Sequence, residues 1–527
     1  MPPASMSRSR VAGCTIPLFS IRSERDWGIG EIPDLPLCAA WLERAGMGLL
    51  QLLPAYELAA GETSPYGART SFGLDPIYLG IDQMEDLDVA RIHAALGADG
   101  ARELARLRAA ANVDYVAVRA LKSKVLHAAF THFHEAHWTK GTTRARLLRA
   151  FIAREASWCE DLALYVALRE AHGGYGWETW PEGERKRHAP ALAAAREHLH
   201  MTVLEHQYLQ WCAHVQWDRA RGELRGLGME LMGDVPFIVG GESADVWSNA
   251  TQFRQDVSLG APPDAFSPDG QDWGLPAYDW AAMDADDLSW HRARTRHASR
   301  LYDRFRLDHV VGYFRQWVRP RTEGDGRGPG RFDPTGEDAQ HARGAKVLSV
   351  ILEEASPAKV IAEDLGVIPP FVRATMKELG LPGYRVIPWE QDDAGFRDPA
   401  GFPRSSVASW STHDTAPITS WWADLPAKDQ AALSKIVGEG AHATDDARLL
   451  AQTQTLLGSG ADLALVLVQE LLGEGTRINT PGTVGGANWT YRLARPIEQL
   501  LADASVGARL DRVRQIGQRT GRVPPHP

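Results

Sequence analysis

Short apolar runs that end at polar, Gly or Pro positions recur along the chain: Met47 to Leu53, Glu230 to Val239, Phe305 to Val311, Lys359 to Leu365, Tyr384 to Pro388, Ser406 to Ser411 and Leu463 to Val468. Each has the length and composition of a strand buried on both faces. Helical spacing occupies many of the intervals between them. Strands alternating with helices imply a parallel sheet, and this many units predict a closed (β/α)8 barrel of the TIM type rather than an open sheet. Between about 89 and 224 the strand signal stops and Ala- and Leu-rich helical patterns replace it, with Trp158, Leu162, Tyr165 and Val166 on one face. The reading is one barrel over 1–515 that carries a mainly helical inserted subdomain at about 89–224. Loop insertions are expected at about 54–80 and 255–280, and the Gly- and Pro-containing stretches Gly260 to Pro276 and Gly324 to Pro334 read as binding loops. Residues 516–527 are expected to form a flexible tail, with fraying from Arg512.

A chain of 527 residues can bury a core large enough for such a barrel. Its 44% hydrophobic and 24% charged composition is that of a globular protein. The formal net charge of −10 argues against nucleic acid as a partner, since such binders gather Lys and Arg on one face. No run of about 18 apolar residues is present, so no membrane span is expected. Val11-Ala12-Gly13-Cys14 matches a lipoprotein cleavage box locally, but Met1 to Arg10 lacks the apolar stretch of a leader. Asn249 and Asn488 begin Asn-x-Thr triplets, which matter only in a secreted eukaryotic chain. Cys14, Cys38, Cys159 and Cys212 lie far apart with no CxxC pair, which reads as reduced thiols in the cytoplasm. His132, His134, Glu135 and His137 are metal-ligand types but lack HExxH spacing, and a solvated helix face is the expected outcome. With neither a P-loop nor a dinucleotide fingerprint, no cofactor and no metal are expected.

Three acids stand at the ends of predicted strands: Asp308, Glu363 and Asp414. Intervals of 55 and 51 residues (363 − 308 and 414 − 363) are each long enough for at least one strand-helix-strand unit of ~30 residues, so the three can come from different strands of one barrel. All three then reach the C-terminal mouth, where barrel enzymes gather their catalytic groups. Paired carboxylates are what glycoside cleavage needs, one as acid on the leaving oxygen and one as nucleophile. For any one of these residues alone, capping the next helix is an equally good use of an acid. His309 and His413, each beside an acid, taken singly fit rim histidines as well as substrate ligands.

The order of several longer motifs narrows these readings. Trp27-Gly28-Ile29-Gly30-Glu31, Leu50-Gln51-Leu52-Leu53-Pro54, Ser64-Pro65-Tyr66 and Trp177-Glu178-Thr179-Trp180-Pro181 precede Gly233-Asp234-Val235-Pro236 and Ser243-Ala244-Asp245-Val246-Trp247. Pro262-Pro263-Asp264-Ala265-Phe266-Ser267, Gly270-Gln271-Asp272-Trp273-Gly274, Arg306 to His309, Ala362 to Ile368, Thr412-His413-Asp414 and Arg477 to Thr483 follow. The set resembles the 4-α-glucanotransferases called amylomaltases or disproportionating enzymes, of the α-amylase clan, through most of the chain.

That resemblance implies retaining transfer of an α-1,4-glucan segment to the 4-OH of another glucan or of glucose, through a covalent glycosyl-enzyme. The implied partners are maltooligosaccharides and a glucose acceptor. It implies Asp308 as nucleophile, Glu363 as general acid/base, and Asp414 as holder of the sugar hydroxyls. Arg306 is implied to orient Asp308, His309 and His413 to bond the −1 sugar, and Tyr66 to stack on it. Gln271, Trp273 and Asn479 are implied to line the glucan groove. Two positions depart from the family pattern: Glu242 replaces the usual Asp before Ser-Ala-Asp-Val-Trp at a substrate-binding position, and Ala265 stands where Tyr is common. The extra methylene of Glu242 shifts its carboxylate by about one bond, a displacement to which close site geometry is sensitive. Ala265 removes one aromatic platform for long glucans.

Overall fold

The computed structural model describes residues 10–59, 61–263, 270–321, 329–393, 395–438, 444–483 and 485–523. Eight strands make the central sheet: β1 (Val11–Thr15), β2 (Leu49–Gln51), β3 (Glu230–Val235), β4 (Arg304–Leu307), β5 (Lys359–Ala362), β6 (Gly383–Val386), β7 (Ser406–Ser409) and β8 (Leu463–Leu467). Their order is β6-β7-β8-β1-β2-β3-β4-β5, and every neighbouring pair is parallel. The Ala362 N–H donates to the Pro382 carbonyl at 2.9 Å, bringing β5 to β6 and closing the ring. Seven of the eight overlap the apolar runs of the sequence. The eighth, β1, is the Val11–Cys14 segment whose only sequence signature is a leader-like box. All five of its residues are buried. Gly13 is needed there because a Cβ would lie 2.8 Å from the Leu49 Cβ and 2.9 Å from Leu465 Cδ2 on the flanking strands.

The barrel interior is a small apolar layer of Val11, Leu49, Met232, Ile361, Tyr384, Val407, Leu463 and Leu465. Strand β4 contributes none of these, and its inward-facing positions hold Arg304 and Arg306 instead. The period-2 alternation that turns Phe305 and Leu307 outward into the larger core turns Arg306 inward, toward the mouth. The helices Leu35–Arg44, Ser289–Leu301, Glu337–Ala355 and Asp445–Gly458 bury apolar stripes in the ring outside the strands.

The described elements from 89 to 226 are all helical. The last of them, His200–Gly226, packs against Leu35–Arg44 and donates from Trp217 Nε1 to the Leu301 carbonyl at 3.0 Å, so its C-terminal part belongs to the barrel ring. His132 to Trp138 sit at the end of helix Tyr115–Phe133 and in a single π-helical turn, and the described residues contain no metal-ligating cluster.

Helix Tyr115–Phe133 is stapled to the barrel by Lys122, which is 1% exposed. Its Nζ donates to the Ile77 and Leu79 carbonyls at 2.7 Å each and pairs with Glu31 Oε1 at 2.6 Å. Burial pushes the Glu31 carboxyl up to about 8 against the opposing pull of Lys122. Lys122→Met therefore leaves a buried acid and two carbonyls without their cation. We expect a loss of about 3–5 kcal/mol in urea denaturation, partly recovered when Glu31→Gln is added. Equal loss in the single and double variants would rule the staple out.

Two loop expectations are corrected. Part of 260–276 and of 324–334 lies in a four-stranded antiparallel sheet, Phe253–Ala261, Gln271–Tyr278, Gln316–Pro320 and Arg331–Asp333. Backbone pairing between segments distant in sequence stabilises it, which local Gly and Pro content does not register. Asp264 to Ser267, including Ala265, lie outside the described residues. The chain does not fray from Arg512: a helix continues to Arg519 and Arg522 is 1% exposed. The Arg522 guanidinium donates to the carbonyls of Val11, Leu457, Ser459, Ala461 and Asp462 at 2.6–3.1 Å, tying the chain end to the start of β1 and β8. A charged residue near a terminus reads as solvated until such a set of carbonyls is folded around it.

Candidate active site

A cavity of about 880 Å³ opens at the C-terminal mouth of the barrel, lined by residues including Gln271, Trp273, Arg306, Asp308, His309, Glu363, His413, Asp414 and Arg477. Asp308 and Glu363 each directly follow a strand, β4 and β5. The loop after β7 carries His413 and Asp414. Chain direction is the cause: in a parallel barrel every strand delivers its following residues to one end.

Arg306 organises the acids. Its Nη1 lies 2.8 Å from Asp308 Oδ1 and 2.9 Å from Asp234 Oδ2, and its Nη2 lies 3.7 Å from Glu363 Oε2. One guanidinium thus faces three carboxylates in a site where Arg306 is 6% and Asp234 0% exposed. Glu363 accepts from the backbone N–H of His309 at 3.0 Å and of Leu365 at 2.6 Å. Burial, reinforced by the charge of Asp308, nonetheless raises its carboxyl up to about 7 against Arg306 and these two donors. His309 takes the left-handed conformation, φ 47°, which turns its N–H onto Glu363. Non-Gly residues held there are strained by roughly 1–3 kcal/mol and concentrate at functional sites. The His309 ring packs edge-on against Trp273 and Phe237, with centroids 5.0 and 5.4 Å away, and burial lowers its pKa.

A second chain of contacts runs through Tyr66. Its hydroxyl donates to Asp234 Oδ2 at 2.7 Å and lies 2.9 Å from His413 Nε2. Because the single hydroxyl proton goes to Asp234, His413 must carry its proton on Nε2 and donate. The same Nε2 lies 3.2 Å from Asp414 Oδ2. Tyr66 stacks on His413, with Trp489 beside both. Asp414 accepts at Oδ1 from Asn479 Nδ2 at 2.7 Å, and its backbone carbonyl accepts from Arg477 at 2.8 Å. Enclosure opposes its ionisation, but His413, Asn479 and Arg306 outweigh it and hold the carboxyl well below the usual range. The Asp414 side chain remains 42% exposed, open to the cleft. Trp273 Nε1 donates to Gln271 Oε1 at 3.0 Å, placing both on one wall.

The family match agrees with this arrangement. A model described as 4-alpha-glucanotransferase matches residues 16–498. The chain belongs to the 4-alpha-glucanotransferase family. It is 31% identical over 471 residues to the 4-alpha-glucanotransferase of Thermus thermophilus, covering 86% of this chain and 89% of that one. It is 29% identical over 508 residues to that of Chlamydia pneumoniae, covering 93% and 92%. In fold it is similar to an amylomaltase from Streptococcus agalactiae, solved with acarbose, at a TM-score of 0.82 and 23% identity over 98% of this chain and all of that one. Transfer of an α-1,4-glucan segment with retention at the anomeric carbon is the activity of the 4-alpha-glucanotransferase family.

Ten of the eleven site residues expected from sequence gather at this mouth. Glu242 does not line the cavity: its side chain is 46% exposed and points at the helical region, with Oε2 3.7 Å from Arg169 Nε. Its carboxylate lies over Gly176, where a Cβ would sit 1.8 Å from Oε1. Sequence reasoning left Asp234 and Arg477 without roles. Asp234 carried a usable signal, since an acid one residue before the end of an apolar strand cannot cap a helix and must be paired inside the barrel.

Proposed function

We propose that Asp308 is the nucleophile and Glu363 the general acid/base of a double-displacement transfer between maltooligosaccharides. An Asp308 oxygen attacks C1 of the −1 sugar while Glu363 gives its proton to the departing O4, so the C1–O4 bond breaks as a β-glycosyl ester forms. The 4-OH of a second glucan or of glucose then attacks C1. Glu363 takes that proton, and the ester bond to Asp308 breaks. Two inversions leave the anomeric configuration retained.

The observation that carries the assignment is the shared guanidinium of Arg306. It orients Asp308 at 2.8 Å but stands 3.7 Å from Glu363, which burial keeps protonated toward neutral pH. Two acids with one cation nearer the first acquire two roles. Asp414, ionised and open to the cleft, binds the sugar hydroxyls with His413, and Tyr66 and Trp273 supply aromatic faces. Gln271 and Asn479 extend the polar wall. Four buried cysteines outside any disulfide fit the reducing cytoplasm, and no helix among the described residues is long and apolar enough to cross a membrane.

Incubation with maltotriose tests this reading. Glucose and a ladder of longer glucans are expected, with total reducing ends constant because each cut is matched by a new bond. A rise in reducing ends would instead identify a hydrolase. Tight glucan binding without turnover would reduce the site to a binding module.

A further inference from the structure

The loop that carries His413 and Asp414 leaves β7 at Ser409 and ends where helix Ile418–Asp424 begins. Both of its feet rest on one buried carboxylate. Glu470 lies in the short helix Val468–Leu472 directly after β8 and is 3% exposed. Its Oε1 accepts from the Ser411 hydroxyl at 2.7 Å, where the loop departs, and from the Ile418 N–H at 3.2 Å, where it returns. Its Oε2 accepts from the Leu467 N–H at 3.1 Å, which fixes the carboxylate to the end of β8. A carboxylate accepting from three neutral donors is a geometrically defined anchor, and hydrogen bonds to a charged acceptor are the stronger kind.

Within the loop, Thr415 Oγ1 accepts from the Thr412 N–H at 2.9 Å and Thr412 Oγ1 from the Asp414 N–H at 3.2 Å. The turn is therefore stiff between its feet. Beyond Glu470 the same segment supplies Arg477 to the Asp414 carbonyl and Asn479 to its carboxylate. The chain following β8 thus sets Asp414 at three levels: loop feet, backbone and side chain.

We propose that Glu470 is a positioning residue for transfer, acting through Asp414 by clamping the Ser411–Ile418 loop. This rests on the reading of Asp414 as an acid of the site that holds the sugar hydroxyls most strongly in the distorted, oxocarbenium-like transition state, so that its displacement lowers kcat more than it raises KM. Glu470→Gln keeps the shape but sets an NH2 donor either against the Leu467 N–H, which releases the anchor from β8, or against both feet of the loop, so in either orientation the clamp loses part of its support. A shift of about 1 Å at a reacting group costs on the order of 100-fold.

The test is a double-mutant cycle in the full-length protein, measuring kcat and KM for maltotriose transfer in Glu470→Gln, Asp414→Asn and the double variant. Glu470→Gln is expected to lower kcat about 30- to 100-fold with KM within about threefold and far-UV circular dichroism unchanged. Added to Asp414→Asn it should cost less than about threefold more, because the group it positions is already disabled. Full kcat in folded Glu470→Gln, or a full additional loss in the double variant, overturns the proposal. Should Glu470→Gln fail to fold, Ser411→Ala removes one foot of the clamp and enters the same cycle with the same expectation. Unchanged kcat in Asp414→Asn would instead count against the underlying assignment of the site.

Discussion

Asp308→Asn is expected to lower maltotriose transfer by about four to six powers of ten, the scale seen when the nucleophile of a covalent mechanism is removed. The amide has nearly the shape of the carboxylate, so packing at the mouth is kept. Arg306 retains Asp234 at 2.9 Å and stays anchored. What disappears is the anionic oxygen that must bond C1. The check is chromatography of maltooligosaccharides at constant folded protein, verified by an unchanged thermal transition. Loss confined to KM would mean that Asp308 binds substrate without bonding to it. Residual transfer within tenfold of the parent would remove Asp308 from the mechanism.

Glu363→Gln is expected to lower kcat/KM for maltotriose about 10²- to 10⁴-fold, the range attributed to a positioned acid. The deficit should be small for formation of the glycosyl-enzyme from α-maltotriosyl fluoride, whose departing fluoride depends far less on a proton donor. A buried binding group would instead weaken both donors alike. The pH dependence follows from the raised pKa. Glu363 must be protonated for the first step, so kcat/KM of the parent falls as pH rises through about 7. A limb near the ordinary glutamate value would contradict the role that burial gives it. Stability has its own sign. A carboxyl whose pKa is higher folded than unfolded binds its proton more tightly in the native state. Its contribution is fully present below the unfolded value and is lost as pH rises from about 4.3 through about 7. Glu363→Gln should accordingly unfold at an equal or higher temperature than the parent above pH 7. An inactive but more stable variant is the combined signature expected of a strained functional acid.

Particular residues mark how far the linear chain could be read. Apolar runs named seven of the eight strands because strands buried on both faces need continuous Val, Ile, Leu and Ala, which is visible locally. Strand β1 escaped because its run is short and its centre is Gly13. That glycine is required by the approach of Leu49 and Leu465, neighbours 36 and 452 residues away. The antiparallel sheet beside the mouth escaped for a related reason, since its pairing partners are separated by loops of differing length. Arg522 shows the converse error, a charge near the chain end that the fold buries beneath carbonyls from several segments.

The sequence by itself determined the family, seven of the eight barrel strands, and the acids Asp308 and Glu363 at strand ends, because motif identity and hydrophobic period are local properties. Tertiary structure alone decided which acid stands closer to Arg306, which is buried enough to keep a proton near neutral pH, and that Glu242 turns to Arg169 instead of the cavity. It also decided that Glu470 holds both feet of the Asp414 loop. These are matters of distance and desolvation, which arise only when segments tens to hundreds of residues apart are brought around one barrel mouth.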